Sequence, residues 1–235
     1  MFFLRYYLYN NYMRLYNFLK NKYNLSKSEL NNFYNNHTIL LDDTKATLLS
    51  IIDTKVLKID NQIIDTNIEL VYYMYNKPIG VECTNNTNID NNIKSIVNIK
   101  ERVFPIGRLD KDSRGLIILT NDQAICNEVL NKDNHIEKEY IVKVDKIITE
   151  EFITNMSRGV SILNRITKPC IVKRIDDYTF DIILKEGLNR QIRRMCKALN
   201  YTVIDLQRIR FGSLVLDIDE NCKKLIKLEN ILSKN

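Results

Sequence analysis

Asp110 sits in the stretch Val103–Asp122, which reads VFPIGRLDKDSRGLIILTND. It is a carboxylate in a loop between two segments that want burial, Val103–Ile106 and Leu116–Leu119. Loops held by rigid neighbours are where reactive groups sit, and a carboxylate there can act as a nucleophile or as a base. Gly107 and Gly115 bracket it and let the backbone turn tightly or approach a ligand closely. Arg108 and Arg114 flank it, so a polyanion could lie alongside. A second constellation lies at Glu186–Leu199, EGLNRQIRRMCKAL. Ile192, Met195, Cys196 and Leu199 recur at the spacing of a buried helix face. Arg190, Arg193, Arg194 and Lys197 fall on the other side with no acidic residue among them to balance the charge. Four such cations repel one another unless an anion joins them, and a carboxylate partner together with a phosphate backbone would do so.

Other chemistries have less support. The two histidines, His37 and His135, are far apart, and neither has the spacing of a metal site or a Ser-His-Asp triad. The five cysteines form no C-x-x-C pair, and their odd number argues against a full disulfide framework and for a reducing, cytosolic setting. Asp110 and Asp112 could be read as metal ligands of a nuclease, a reading that predicts sensitivity to EDTA. No further carboxylates cluster beside them.

The elements that must position these groups follow from hydrophobic period and capping. Leu15, Phe18, Leu19 and Tyr23 keep helical spacing, and Ser26-Lys27-Ser28-Glu29 is a capping box that starts a second helix near Lys27 and carries it to about Asn35. Short strands are expected at His37–Leu41 and Lys55–Asp60, with a turn at Asp42-Asp43. Residues 61–70 are polar and are expected as a linker. A strand at Val71–Tyr75 runs into a rigid turn at Pro78 and Gly80. Helices are expected over Ile89–Ile99, Asp122–Leu130 and Asn189–Leu199, and another from the Thr149 cap to Gly159. Strands are expected at Lys138–Asp145, with Tyr140, Val142 and Val144 on one face, then at Pro169–Ile175 and Tyr178–Lys185 as a pair, at Thr202–Arg210 and at Ser213–Leu216. A polar tail closes the chain. Strands and helices mix without a βαβ rhythm, which predicts an α+β fold with a mixed, mostly antiparallel sheet flanked by helices.

Composition agrees with a globular chain of 235 residues, 27% charged and 45% hydrophobic, with a net charge of +6 that is compatible with nucleic-acid binding. No stretch reaches the length of a membrane span, and residues 1–12, without the core or cleavage site of a signal peptide, are read as a short extension or as the product of a start codon placed upstream of Met13. Only six glycines occur, all from Gly80 onward, so turns elsewhere must use Asn and Asp.

Gly107-Arg108-Leu109-Asp110-x-x-Ser113-x-Gly115-Leu116 resembles the signature of pseudouridine synthases of the RsuA type. Asn76-Lys77-Pro78-x-Gly80, Lys138-x-Tyr140 and Glu186-Gly187-x-Asn189-Arg190-Gln191-Ile192-Arg193-Arg194-Met195 resemble the family's other motifs. They stand in order over residues 71–216. Val103–Ser113 and Leu188–Cys196 look most like the RluF branch, which modifies 23S ribosomal RNA and in some members tyrosine tRNA. Arg14, Leu15, Phe18 and Leu19, followed by Ser26–Leu30, resemble the start of the S-four-like (αL) RNA-binding domain. The domain turn glycines are replaced by Asn36 and Asp42-Asp43, and the basic face is thin. The resemblance implies an S-four-like domain at 13–60, a linker at 61–70 and a catalytic domain at 71–235.

It also implies an isomerisation of uridine to pseudouridine in structured RNA, with no cofactor and no metal, by a monomer whose partner is ribosomal RNA or tRNA. Asp110 would have to be ionised, to act on ribose or uracil as nucleophile or base. Arg193 stands at the family position that pairs with it, and Tyr140 at the position that stacks on the target base. Arg108 would meet the RNA at the flipped base, while Lys77, Arg190 and Arg194 would track phosphates, with Lys27 and Arg14 contacting RNA from the N-terminal domain. The alternative is an RNA-binding or ribosome-assembly protein without activity, against which the intact set Asp110, Tyr140 and Arg193 speaks.

Overall fold

The computed structural model describes residues 13–52, 55–86, 88–131, 134 and 136–232. The extension at residues 1–12 and His135 lie outside them. The described residues form two compact units, the first running to Val71 and adding Ile99–Val103 and Thr120–Cys126, the second taking the rest.

In the first unit, helices α1 (Leu15–Lys22) and α2 (Lys27–Asn36) precede strands β1 (Ile39–Leu41), β2 (Thr44–Lys45), β3 (Leu57–Ile59) and β4 (Gln62–Ile63). The strands pair antiparallel in the order β2-β1-β3-β4. The capping box forms as its residues predict: Glu29 N donates to Ser26 Oγ at 3.2 Å, and Ser26 N donates to Glu29 Oε2 at 2.7 Å. Leu15, Phe18, Leu19, Leu30, Ile39 and Leu57 make the core. The expected linker at 61–70 therefore opens with a strand, because Asp60 and Asn61 both take the left-handed backbone and turn the chain back on β3. Asn121, expected in a catalytic domain, belongs here because its side chain bonds Glu69 O at 2.8 Å and Val71 N at 3.0 Å.

The second unit carries β5 (Tyr72–Lys77), α3 (Ile93–Val97), β6 (Phe104–Ile106), β7 (Arg114–Thr120) and, across the division, α4 (Gln123–Leu130). There follow β8 (Lys138–Val144), α5 (Glu150–Arg158), β9 (Ser161–Ile162), β10 (Arg165–Ile166), β11 (Ile171–Arg174), β12 (Thr179–Leu184), α6 (Gln191–Ala198), β13 (Val203–Phe211), β14 (Leu214–Val215), β15 (Lys223–Leu225) and α7 (Leu228–Leu232). A nine-stranded sheet runs β11-β12-β8-β13-β7-β5-β15, with β14 on β13 and β6 on β7. β13 pairs parallel with β7 and antiparallel with β8, so the sheet is mixed, as expected. Val142, Phe180, Ile182 and Leu206 on one sheet face pack with Phe152 and Met156 of α5 and with Ile192, Met195 and Cys196 of α6.

Two expectations fail on identifiable backbone chemistry. The helix expected over Ile89–Ile99 is only α3, because the Asn92 side chain caps it, accepting from Ser95 N at 2.9 Å, and Asn98 ends it at φ 45°. The polar tail holds β15 and α7, since β15 pairs with the open edge of β5. The use of Asn and Asp in place of glycine is borne out among the described residues: all non-glycine residues at positive φ except Leu163 and Arg190 are Asn or Asp. None of the described helices is long and apolar enough to cross a membrane.

Candidate active site

Asp110 lies between β6 and β7, in a turn closed by Ser113 N donating to Asp110 O at 3.1 Å. The loop is buttressed by the Pro78–Cys83 segment: Gly80 N donates to Lys111 O at 2.8 Å, and Leu109 N donates to Cys83 Sγ at 3.4 Å. Gly115 sets the exit. Its φ is +107°, and a Cβ there would sit 2.3 Å from the Arg208 carbonyl oxygen of β13. Only glycine lets the two strands approach so closely.

α6 supplies the cations. Its N-terminus is fixed by Gln191, whose Oε1 accepts from Leu188 N at 2.9 Å and whose Nε2 donates to Glu186 Oε1 at 2.8 Å. Arg190, at φ 51°, then turns its guanidinium onto the Asp110 loop. Its Nη1 and Nη2 grip Asp112 at 3.0 and 2.6 Å, and Nη1 lies 3.7 Å from Asp110 Oδ2. Arg193 donates from Nη2 to Asp112 O at 2.6 Å and to Ser113 Oγ at 3.3 Å, while its Nε pairs with Asp112 Oδ2 at 3.3 Å. The hydrogen bond from Arg190 holds the Asp112 carboxyl below its usual range, and the charge of Arg193 adds to this.

Between this clamp and the sheet lies a cavity of about 490 Å³, walled by Asp110, Tyr140, Leu206 and the Glu186–Ile192 segment. That volume suits a small ligand or a single nucleotide. Arg108, Arg165, Lys168, Lys185 and Arg190 line it from exposed positions, while Lys138 and Arg208 line it from deeper ones. Asp110 and Glu186 are the acids among its lining residues, and Glu186 accepts from Arg165 Nη2 at 3.0 Å and Lys168 N at 2.9 Å. The arrangement is a carboxylate and an aromatic ring inside a cationic pocket, which can receive a base from a polyanion.

The sequence profile described as RNA pseudouridylate synthase matches residues 71–198, and RluF of Escherichia coli K12, a dual-specificity RNA pseudouridine synthase, is 44% identical over 194 residues, 81% of this chain and 67% of that protein. This chain belongs to the RNA pseudouridylate synthase family. The expected kinship with the RluF branch rests on that identity. The ribosomal large subunit pseudouridine synthase B of Bacillus subtilis is 33% identical over 63% of this chain and 64% of its own. A crystal structure of a pseudouridylate synthase superposes with a TM-score of 0.67 at 24% identity, covering 93% of this chain and 98% of its own, which is a likeness of fold.

As a member of this family the chain is an RNA pseudouridine synthase, and the structure brings Asp110, Tyr140, Arg108 and Arg190 to one pocket. Four expectations about individual residues need correcting. Lys77 does not track phosphates: it is fully buried, its Nζ donates to Pro78 O and Val81 O at 2.9 Å each, and burial lowers its pKa. It fastens the turn that supports the Asp110 loop. Arg193 pairs with Asp112 and leaves Asp110 to Arg190. Asp112, read from the sequence only as a possible metal ligand, joins both arginines. Arg114 is taken by Asp205, with Nη2 to Oδ2 at 2.7 Å, so it does not wait for a polyanion. Arg194 is exposed and bonds its own Asn189, through Nε to the carbonyl at 3.0 Å. Arg14 and Lys27 are exposed in the first unit, at the start of α1 and of α2. The nuclease reading lacks its donors: among the described residues no group of three or more His, Cys, Asp and Glu is placed to hold a metal.

Lys138, Arg165, Lys168, Lys185, Glu186 and Arg208 were not picked out as pocket residues. A charged residue at an inward register of a strand was the available sign for Arg208, which shares its strand face with Leu206.

Proposed function

We propose that this synthase isomerises a uridine of ribosomal RNA, most directly of the large subunit, with Asp110 as the reacting carboxylate. The observation that carries the reading is that Asp110 and Tyr140, from separate strands and loops, line one cationic pocket of nucleotide size. Large-subunit RNA is favoured by the name of the Bacillus subtilis relative, and the dual specificity of RluF leaves room for a second RNA.

The target base leaves its helix and stacks on Tyr140, as bases taken out for chemistry do. Arg108, Arg165, Lys168 and Lys185 hold the phosphates around the pocket mouth. Arg190 Nη1, 3.7 Å from Asp110 Oδ2, stands beside that carboxylate as its nearest cation when the base enters. The N1–C1′ bond breaks, the ring turns, C5 bonds to C1′, the C5 proton leaves and N1 gains one. Substrate and product are isomers, so no electron or group is exchanged and no co-reactant is called for. Asp110 acts on the ribose or uracil as nucleophile, or as the base that moves a proton. The first unit, with exposed Arg14 and Lys27, is read as an S-four-like RNA-binding domain. The protein is read as acting as a monomer, and an RNA substrate of this kind supports a cytoplasmic location.

The test is purified full-length protein with unmodified ribosomal RNA and with tRNA transcripts, EDTA present, followed by mapping of pseudouridine. The expected result is modification at a defined uridine that Asp110→Asn abolishes. Retained turnover in that variant would remove Asp110 from its role.

A further inference from the structure

Arg208 is a buried cation for which the reading above has no use. It is 2% exposed, yet it lines the pocket. Its Nε donates to Leu116 O at 2.7 Å, and its guanidinium carbon lies 5.2 Å from the Phe211 ring centre. These contacts fix the plane of the group. Its Nη2 is buried and has no hydrogen-bond partner. Among the described residues no carboxylate lies within ion-pair distance of it. Lys138 lines the same pocket and adds a second charge: its Nζ is 5.4 Å from the centre of the same Phe211 ring and donates to Ile136 O at 3.0 Å. Burial, with the Arg208 charge second, pushes the Lys138 pKa down to about 8. A buried charged donor left unpaired is costly, and beside a pocket it is a place for water, an ion or a ligand to complete.

The register says what that ligand is. Arg208 on β13 is the Cα partner of Tyr140 on β8, so both side chains stand on one face of the sheet as neighbours. A group stacked on Tyr140 would present its edge to Arg208. Phosphates stay with the backbone at the exposed cations, and the part of the nucleotide that enters deepest is the base. Its polar edges carry two carbonyl oxygens, O2 and O4, both acceptors. When the N1–C1′ bond breaks and its electron pair remains with the ring, negative charge spreads onto those oxygens. A fixed guanidinium beside them gains strength as that charge appears, which is the condition for accelerating the step.

We propose that Arg208 donates from Nη2 to a carbonyl oxygen of the target uracil and holds the charge that the ring acquires as the glycosidic bond breaks, with Lys138 reinforcing it. This rests on the pocket being the synthase site. Arg208 is then a catalytic residue alongside Asp110 and Tyr140, and the buried floor, not the exposed cations, responds to the change in charge.

The experiment uses the full chain, the variants Arg208→Lys and Arg208→Gln, and a short RNA containing the mapped uridine as oxygen, 2-thio or 4-thio form. Sulfur is a poorer acceptor than oxygen. Single-turnover release of the C5 hydrogen is measured at saturating protein, and RNA affinity is measured separately. For wild type, sulfur at one of the two positions slows turnover on the order of 100-fold. Both variants slow the oxygen substrate by a similar factor, show at most a roughly threefold further loss with sulfur, and bind RNA nearly as wild type does. Equal sulfur effects in wild type and variants would overturn the proposal, as would a loss confined to affinity. If the variants do not fold, a wild type indifferent to sulfur at both positions overturns it alone. Absence of turnover with the oxygen RNA would instead overturn the reading of the pocket, and the proposal with it.

Discussion

Arg190 Nη1 lies 3.7 Å from Asp110 Oδ2, while the same guanidinium grips both oxygens of Asp112 at 3.0 and 2.6 Å. One cation thus serves two carboxylates, one held tightly and one within reach. Asp112 sets where Arg190 stands, and Arg193 locks the backbone of Asp112 from the other side. Substituting Asp112→Asn should therefore lower the single-turnover rate by about 100-fold through misplacement of Arg190, with RNA affinity little changed. Arg190→Gln should cost more than Arg193→Gln in rate, since Arg190 is the arginine beside Asp110.

The same pair gives a pH prediction. The folded-state pKa of Asp112 is lowered from its ordinary 3.8 by the Arg190 hydrogen bond. A depressed carboxylate contributes stability above its unfolded pKa and loses it as pH falls through the folded one. Wild type should exceed Asp112→Asn in urea stability at pH 7, and the gap should close as pH falls below about 4. The side chain is half exposed, so the gap should be below about 1 kcal/mol. A gap independent of pH would exclude the charged pair as its cause.

The local rules read well where a single segment decides its own structure. The Ser26–Glu29 box, the Thr149–Gly159 helix and the buried stripe of α6 all depend on residues a few positions apart. The phosphate role of Lys77 rests on motif resemblance alone, and its burial follows from the place of β5 within the nine-stranded sheet. Arg208 was overlooked because period two shows that it shares a face with Leu206, not that this face holds the pocket. The Arg190–Asp112 clamp joins segments nearly eighty residues apart, and no spacing rule reaches that far. Motif resemblance found the arginine helix that reaches the Asp110 loop and set Arg193 opposite Asp110, where Arg190 stands 3.7 Å away and Arg193 holds Asp112.

Gly115 and Gly80 both have positive φ, at +107° and +89°, but they differ in what a methyl would meet. Gly115→Ala puts Cβ into the Arg208 backbone, whereas Gly80→Ala meets nothing within 4 Å. Denaturant unfolding should show a loss of about 3 kcal/mol or more for Gly115→Ala and about 1 kcal/mol for Gly80→Ala. Equal losses would mean that the close approach of β7 to β13 carries no energetic weight.

Lys77 and Lys168 should separate structural from phosphate-binding charge. Lys168 is exposed at the pocket and Lys77 is fully buried. Lys168→Gln should weaken RNA binding and reduce the slope of log K against log salt by about 1. Lys77→Met should leave that slope unchanged and instead slow turnover, because the turn behind Asp110 loosens. A changed salt slope for Lys77→Met would restore it to the RNA surface.

Lys138 provides a second, opposite pH signature. Its folded pKa, pushed down to about 8, lies below the ordinary 10.5. Between those values the unfolded chain binds the proton that the folded chain has released, so folding stability rises with pH there. Below pH 8 the lysine is charged in both states, and the penalty for burying it is fully felt. Relative to Lys138→Met, wild type should gain on the order of 2 kcal/mol between pH 7.5 and 10. Bound RNA reverses the preference, because the phosphates around the pocket and the uracil carbonyl oxygens at its floor favour the charged lysine. Binding near pH 8 should therefore take up a proton, visible as a dependence of binding heat on buffer ionisation enthalpy, and Lys138→Met should abolish it. Proton release on binding, or uptake that survives in Lys138→Met, would place the charge response elsewhere than at this floor.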